Sequence, residues 1–185
     1  MLQFYKPNAK ITGSACSIYY SVSKECFFLQ ILKQEGWNGK NGTFGKSRDD
    51  ASKSVLLKLS TIEAAGMLLT LEKDIPFKGY HQYPGARYAT TVNLAPYSNA
   101  AGEPVGYSLA VSKKDTQDTA APSASFRIGL YFAEARLLRE YLCIGLREIL
   151  LYRPDEAKTV AAKTETAVAE AAAATPATEP ETPVF

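Results

Sequence analysis

The stretch "SVLLKLSTIEAAGMLLTL", Ser54 to Leu71, changes its hydrophobic period in mid-course without a glycine or proline between the two patterns. Val55, Leu57 and Leu59 alternate with their neighbours, and this period of two predicts a half-buried strand. From Ile62 onward the apolar residues recur at intervals of three and four, which predicts a helix. A strand that runs straight into a helix is therefore the unit from which this chain is built.

The boundary between the two patterns carries a helix-start signal. Ser60 and Glu63 form the S-x-x-E pattern of a capping box, in which each side chain binds a backbone N–H of the other residue. We predict that Ser60 ends the strand and caps a helix from Thr61 to about Lys73. The segment "SFRIGLYFAEARLL", residues 125–138, repeats the arrangement and continues helically to about residue 152.

The remaining alternating segments lie before each of these strand–helix units. In chain order the further predicted strands are SACSIYYS (14–21), CFFLQILKQ (26–34), FKGYHQY (77–83), ARYATTVNLA (86–95) and VGYSLAVSKK (105–114). The predicted fold class is α+β, with two antiparallel β-sheets each followed by a helix. The sequence identifies three strands in the first half and four in the second, where a full ββββα repeat has four in each.

The last part of the 185-residue chain differs from the rest in composition. Residues 154–185 are mostly Ala, Thr, Glu and Pro, and their six acidic and two basic side chains give a net charge of −4. Such a segment buries too little apolar surface to offset its ordering entropy, so we predict a disordered tail. Residues 1–153, with 19 basic and 13 acidic residues, carry +6 and are predicted to form one domain with a polyanionic partner.

The residues do not favour an enzyme. "GKNGTFGKS" has five residues between Gly39 and Gly45 where a phosphate-binding loop needs four, and a polar segment follows instead of a helix. His81 is the one histidine, and no nucleophile or metal-ligand signature accompanies it. The three cysteines show no metal spacing and are predicted to be reduced. We therefore predict no catalytic residue, no metal and no cofactor.

Basic and aromatic residues occur together in loops and on strands, which is the combination that binds single-stranded nucleic acid. Aromatic rings stack on bases, and cations follow the phosphates, with little sequence preference. The predicted binding residues are Trp37, Lys40, Phe44, Lys46, Arg48, Lys53, Lys58, Tyr80, Tyr83, Arg87, Tyr88, Lys113 and Lys114. Many of these rings could instead belong to the core, an alternative that the sequence leaves open.

The order of strands and helices resembles the Whirly family of single-stranded DNA-binding proteins. "SVLLKLSTIEAAGMLLTLEKDIPFKGYHQ", "TTVNLAPYSNAAGEPVGYSLAV" and "FRIGLYFAEARLLREYLCIGLREIL" carry the likeness, which extends over residues 10–152. Positive-cofactor-four-like coactivators and trypanosomal guide-RNA-binding proteins are related in fold. The resemblance implies binding of single-stranded DNA, or alternatively RNA, across the sheets, and a homo-oligomer formed through the helices.

The tail is similar in plan to those of bacterial and phage single-stranded DNA-binding proteins. There an acidic segment with a terminal Phe recruits replication proteins, which implies a partner-binding role for Glu179, Glu181 and Phe185. On this reading the protein coats or presents single strands in replication, recombination or repair, in the cytoplasm of a bacterial or phage-infected cell rather than in an organelle. A non-catalytic structural or assembly protein whose aromatics are simply core is the alternative from another class.

Overall fold

Two four-stranded antiparallel sheets form the body, and the last strand of each continues into a helix. The structure is a computed structural model that describes residues 1–82, 85–118 and 123–152. In chain order the elements are β1 (Leu2–Lys6), β2 (Ser14–Ser21), β3 (Cys26–Lys33), β4 (Gly36–Trp37), β5 (Gly42–Thr43), a 3₁₀ turn (Lys46–Arg48), β6 (Ser54–Ser60), α1 (Thr61–Lys73), β7 (Phe77–His81), β8 (Tyr88–Ser98), β9 (Pro104–Asp115), β10 (Ala124–Tyr131) and α2 (Phe132–Leu151). The predicted α+β repeat is confirmed.

Both sheets are meanders in which chain neighbours pair. The first sheet has the order β1-β2-β3-β6, and the second has the order β7-β8-β9-β10. The short hairpin β4-β5 and the 3₁₀ turn lie in the long connection between β3 and β6. The two sheets are therefore topological copies of each other, with one insertion in the first.

The capping box at the start of α1 forms as predicted. The Ser60 hydroxyl accepts a hydrogen bond from the Glu63 backbone N–H at 3.2 Å, and the Ser60 backbone N–H donates to Glu63 Oε2 at 2.9 Å. At the start of α2, Tyr131 supplies no capping hydroxyl, but its backbone N–H donates to Glu134 Oε2 at 2.8 Å. Both helices thus begin with a glutamate at the third helical position that binds back to the preceding strand.

Each of these glutamates also meets a basic residue from the first strand of the other sheet. Lys6, the last residue of β1, lies 2.6 Å from the Glu134 carboxylate. His81, the last residue of β7, places Nε2 at 2.9 Å from Glu63 Oε1, although off the line of a hydrogen bond. The two halves of the repeat are joined by the same pair of contacts at equivalent places.

The core lies on the inner faces of both sheets and includes residues from both helices. One face of α2 contributes to this core, since Leu138, Leu142, Gly145 and Ile149 are all buried. Gly145 admits the ring of Phe27, because a Cβ at this position would lie 2.6 Å from the Phe27 ring. Close approach of backbone and ring fixes the helix on the first sheet.

Two features of the strands differ from the prediction. β1 was not predicted, because five residues beside the chain terminus give only a weak alternating signal. β8 extends to Ser98, three residues beyond the strand predicted for 86–95, although Pro96, Ser98 and Asn99 are residue types that favour a turn. Its pairing with β9 continues to that point and shifts register between Tyr97 and Ser98, so cross-strand bonding outweighs the local turn signal here.

The cysteines are free, as predicted. Cys16 and Cys26 are buried, and burial raises the pKa of the Cys16 thiol to about 12, which leaves it unreactive at neutral pH. Cys143 is half-buried on α2. None of the three forms a disulfide in the structure.

The chain divides into two units, Met1–Leu150 and Leu151–Phe185. Of the second unit only Leu151 and Tyr152 are described, so the predicted tail and its residues Glu179, Glu181 and Phe185 lie outside the described residues. In the described part of the chain, neither helix combines the length and the apolarity that a membrane span requires.

Candidate nucleic-acid interface

Positive charge in the body is concentrated on the sheets. The eight strands of the two sheets contain one acidic residue, Asp115, which is 6% exposed. The same strands contain seven lysines and arginines: Lys6, Lys33, Lys58, Lys78, Lys113, Lys114 and Arg127. The two helices carry five acidic and four basic residues and are nearly neutral. The sheets therefore present the electropositive surface of this unit.

The outward faces of the sheets carry exposed tyrosines at equivalent positions. Tyr5 is the fourth residue of β1 and is 57% exposed, and Tyr80 is the fourth residue of β7 and is 62% exposed. Each is followed by one of the two basic residues that join the halves of the repeat. Aromatic rings held on rigid edge strands beside cations are suited to stacking on bases.

A groove on the first sheet brings the long loop over the outward face. Phe44 packs edge-on against Tyr5 with ring centroids 6.1 Å apart, and Arg48 lines the same groove of about 310 Å³. Gln3, Ser17, Gln30 and Leu32 also line this groove. Two of the predicted loop residues, Phe44 and Arg48, are thus placed on the sheet, whereas Tyr5 was missed because β1 was not predicted.

A second groove, of about 430 Å³, lies on the outward face of the second sheet. Tyr80 and Lys114, both predicted, line it with the hydroxyl residues Thr91 and Ser112. Lys78 and Arg127 lie in one register row of the same face, at the two edge strands. Both side chains are exposed, and neither was predicted as a binding residue, although the alternation of Arg127 with Phe126 and Ile128 already placed it outward.

A third cleft, of about 310 Å³, lies where β6 of the first sheet meets β7 and β8 of the second. Its residues, which we call the Tyr88 cleft, are Phe28, Leu56, Leu57, Lys58, His81, Tyr88 and Thr90. Lys113 Nζ lies 4.1 Å from the centroid of the Tyr88 ring, and Phe28 stacks on Tyr19 with centroids 4.9 Å apart. The cleft thus unites the predicted residues Lys58, Tyr88 and Lys113 with rings that the sequence did not single out.

Arg87 has a structural contact as well as an exposed position. Its Nε donates to Asp115 Oδ2 at 2.8 Å, and its guanidinium lies 5.3 Å from the Tyr88 ring centroid. The hydrogen bond from Arg87 is the main cause that lowers the pKa of Asp115, with further help from backbone N–H groups. Asp115, the one carboxylate in the strands of the two sheets, lines the second groove and is neutralised there by Arg87.

The other predicted residues are placed less favourably or are not described. Trp37 is half-buried in the short β4-β5 hairpin, and Lys40 is exposed at its tip. Lys46 is exposed at the start of the 3₁₀ turn. Lys53 precedes β6 and accepts a hydrogen bond on its carbonyl from the Lys33 N–H. Tyr83 lies outside the described residues.

The described residues contain no group of three histidine, cysteine or carboxylate side chains that could hold a metal ion. His81 faces Glu63 and lines the Tyr88 cleft, so its place is at the junction of the two sheets. Glu63 is already engaged in the capping box. The surroundings of His81 are thus those of a contact between the halves of the repeat.

Neither a family model nor a curated protein matches this chain, whereas solved structures do. Arabidopsis thaliana WHY3 superposes with a TM-score of 0.59 at 14% identity, covering 88% of this chain and 95% of WHY3. The plant transcriptional regulator PBF-2 gives 0.57 at 14% identity, covering 80% and 81%. Trypanosoma brucei MRP1/MRP2 gives 0.54 at 17% identity, covering 78% and 82%. The chain therefore has the Whirly fold, as the resemblance predicted.

Proposed function

We propose that this protein binds single-stranded DNA on the outward faces of its two sheets. The observation that carries the proposal is the distribution of charge: the strands hold seven cations and one neutralised carboxylate, while nearly all acidic residues lie elsewhere. Four of the seven cations are exposed on the outward faces of the sheets, namely Lys58, Lys78, Lys114 and Arg127. Exposed tyrosines on the same faces supply stacking surfaces. The Whirly fold of the solved structures supports the proposal, which includes no catalytic activity, cofactor or metal.

The structure sets the size of the expected salt dependence. Four cations are exposed on the outward faces, Lys58, Lys78, Lys114 and Arg127, and a fifth, Arg48, lines the groove of the first sheet. If each neutralises one phosphate of a single strand, log K should fall with log[salt] with a slope of about −3.5. Between about 50 and 200 mM salt the affinity should then fall roughly a hundredfold.

The direct test is fluorescence anisotropy with a labelled oligo(dT) at several salt concentrations. We expect binding with this steep salt dependence and weak binding to duplex DNA of equal length. Unlabelled RNA of the same sequence, added as competitor, distinguishes the alternative of an RNA-binding protein. An affinity that does not depend on salt, or no binding to single strands, contradicts the proposal.

The stacking contribution is tested at Tyr80. Removing its ring in Tyr80→Ala should weaken oligo(dT) binding by roughly 5- to 150-fold, because base stacking on an aromatic is worth about 1–3 kcal/mol. The matched control is Phe132→Ala, which removes a ring of similar exposure, 53%, from the start of α2. Equal effects of the two substitutions would show that the outward face of the second sheet is not the binding surface.

The helices fit the proposed homo-oligomer. α2 exposes Leu137, Ile144 and Leu151 at intervals of seven, and each is more than half exposed. α1 exposes Ile62 at 81% and Leu69 seven residues later. Helix faces of this kind usually pack on another subunit. The homo-oligomer is tested by sedimentation equilibrium of the wild-type protein and of the double variant Leu137→Glu/Ile144→Glu. A monomeric mass for both proteins contradicts the proposal.

We further propose the role of the acidic tail and the cellular setting. The tail would recruit a replication, recombination or repair protein through Glu179, Glu181 and Phe185, in the cytoplasm of a bacterial or phage-infected cell. At low salt the tail would compete with DNA for the basic surface of the body, and this competition can be tested. A protein that ends at residue 153 should bind oligo(dT) as tightly as the full chain or more tightly, and loss of binding contradicts this role.

A further inference from the structure

A fourth cleft, of about 430 Å³, is lined by cations and hydroxyls without any carboxylate. It lies where the beginning of β2 and the end of β3 meet β10. Its residues, which we call the Lys33 cleft, are Ile11, Thr12, Gly13, Ser14, Ile31, Lys33, Gln34, Lys53, Ser125 and Arg127. The binding residues predicted from the sequence include only one of its three cations, Lys53.

The charges of this cleft are not neutralised by ion pairs in the described part of the chain. The salt bridges of the described residues involve Lys6, His81, Arg87, Arg136 and Arg139, and none of the three cations of the cleft. Asp50 is a carboxylate that interacts with Lys53 without forming a salt bridge: its pKa is lowered mainly by hydrogen bonds from Ser52 and to a smaller extent by the charge of Lys53. Lys33 Nζ lies over the Phe126 ring, 4.8 Å from its centroid. Three cations that line one cleft and form no salt bridge with the described residues favour an anionic ligand.

The lip of the cleft is held in place by the buried side chain of Gln34. Its amide nitrogen donates to the carbonyls of Asn8 and Gly36 at 3.0 and 2.7 Å, and its oxygen accepts from the Asn8 N–H at 2.9 Å. Gly13 is required beside it, since a Cβ there would lie 2.3 Å from the Gln34 oxygen. The backbone around Ser14 is therefore ordered before any ligand binds.

The repeat shows that the Lys33 cleft and the Tyr88 cleft occupy the same place in the two halves. In the first sheet Lys6, Ser14 and Lys33 lie opposite one another on successive strands. In the second sheet the corresponding register row is His81, Thr90 and Lys113. Each row consists of a basic residue, a hydroxyl residue and a lysine, and each row borders its own cleft.

The two clefts differ in the residues that surround these rows. The position two residues before the row hydroxyl is Tyr88 in one half and Thr12 in the other. The position four residues before the helix cap is Leu56 in one half and Arg127 in the other. One cleft has thus an aromatic and an apolar residue where the other has a hydroxyl and a guanidinium.

We propose that the two clefts divide the recognition of one strand between them: the Tyr88 cleft accepts a base, and the Lys33 cleft holds backbone phosphates through Lys33, Lys53 and Arg127. This rests on the proposed function and adds to it a phosphodiester site at a defined place. The hydroxyls of Ser14 and Ser125 line the same cleft as further hydrogen-bond donors. The Lys33 cleft contacts only the backbone of the strand, so its contribution does not depend on base identity.

The test compares salt slopes of the full chain and of Lys33→Gln/Lys53→Gln with labelled oligo(dT). Each phosphate contact with a single strand contributes about 0.7 to the slope. Lys33 and Lys53 add two contacts to the five counted above, so the expected wild-type slope becomes about −4.9, and the variant without these two contacts should return to about −3.5. Between about 50 and 200 mM salt, the wild-type affinity should then fall roughly sevenfold more than that of the variant. The control Lys73→Gln/Arg147→Gln removes the same charge from the helices and should leave the slope unchanged.

The single variants Lys33→Gln and Lys53→Gln, each checked for folding by circular dichroism, keep the test valid if the double variant unfolds. Each should lower the slope by about 0.7. A complementary arm uses an abasic deoxyribose-phosphate oligomer and, separately, inorganic phosphate at equal ionic strength. We expect the abasic oligomer to compete with oligo(dT) through this cleft and inorganic phosphate not to compete.

The outcomes separate the two proposals. Failure of the wild-type protein to bind oligo(dT) refutes the proposed function and the cleft with it. Normal binding with an unchanged slope in the Lys33 and Lys53 variants refutes the cleft alone. An equal loss of slope in the helix control shows an effect of net charge and also refutes the cleft proposal. If inorganic phosphate competes as strongly as the abasic oligomer, the cleft binds free phosphate and not a strand.

Discussion

Substituting Ser60 by alanine tests the strand-to-helix junction on which the fold depends. The Ser60 hydroxyl accepts the Glu63 backbone N–H at 3.2 Å and donates to Glu63 Oε2 at 2.9 Å. Ser60→Ala removes both bonds but keeps the bond from its own backbone N–H to Glu63 Oε2. Loss of an N-cap side chain lowers the free energy of unfolding by about 0.5–2 kcal/mol. Because Ser60 is exposed, water can replace part of its hydrogen bonding, and we expect a decrease of about 1 kcal/mol.

The assay is urea unfolding followed by circular dichroism, at one fixed protein concentration because association would add to stability. A loss of about 1 kcal/mol should also lower Tm by roughly 2–4 °C in a chain of this size. Ser54→Ala, at the other end of β6, is the matched control, and Ser60→Thr should restore most of the stability. If Ser60→Ala and Ser54→Ala agree within about 0.3 kcal/mol, the capping box does not hold the junction.

Two other substitutions examine packing and charge. Gly145→Ala places a Cβ 2.6 Å from the Phe27 ring, so the overpacking penalty of about 1–3 kcal/mol should exceed the gain in helix propensity of about 1 kcal/mol. The control Gly129→Ala adds a Cβ with nothing within 4 Å and should not destabilise the protein. Equal melting temperatures for the two variants would refute the packing argument. Asp115 has a pKa lowered mainly by Arg87, so its stabilising effect is present above its unfolded pKa of about 3.9 and is lost as pH falls through the lowered folded pKa. The difference in unfolding free energy between wild type and Asp115→Asn should therefore narrow as the pH falls below about 4, and a difference that stays constant down to acid unfolding would contradict the role of this pair.

Much of the fold followed from hydrophobic periodicity and one capping motif. Alternation placed seven of the eight sheet strands, and the Ser60–Glu63 pattern placed the start of α1 at the correct residue. These signals are local, since the side chains that produce them are neighbours in the chain. β1 was not predicted because its burial depends on pairing with β2. Its single buried residue, Phe4, is too little to show a hydrophobic period in the sequence.

The candidate site was predicted in part. Lys58, Tyr80, Tyr88, Lys113 and Lys114 lie at the two sheets as the basic-aromatic pattern suggested, although binding by them stays a prediction. Other residues of the grooves, such as Tyr5, Phe28, Lys33 and Arg127, come from strands whose neighbours in space are distant in the chain. No spacing in the sequence links them.

The sequence by itself determined the repeated strand–helix unit, the separation of an acidic tail from a basic body, and the chemical class of residue available for binding. Each of these depends on composition or on contacts within a few residues. Tertiary structure alone decided which cations share a cleft, and it made one cleft aromatic and its counterpart in the repeat basic. Lys33 and Arg127, for example, are far apart in the chain and meet only because β3 and β10 approach each other when the two sheets pack.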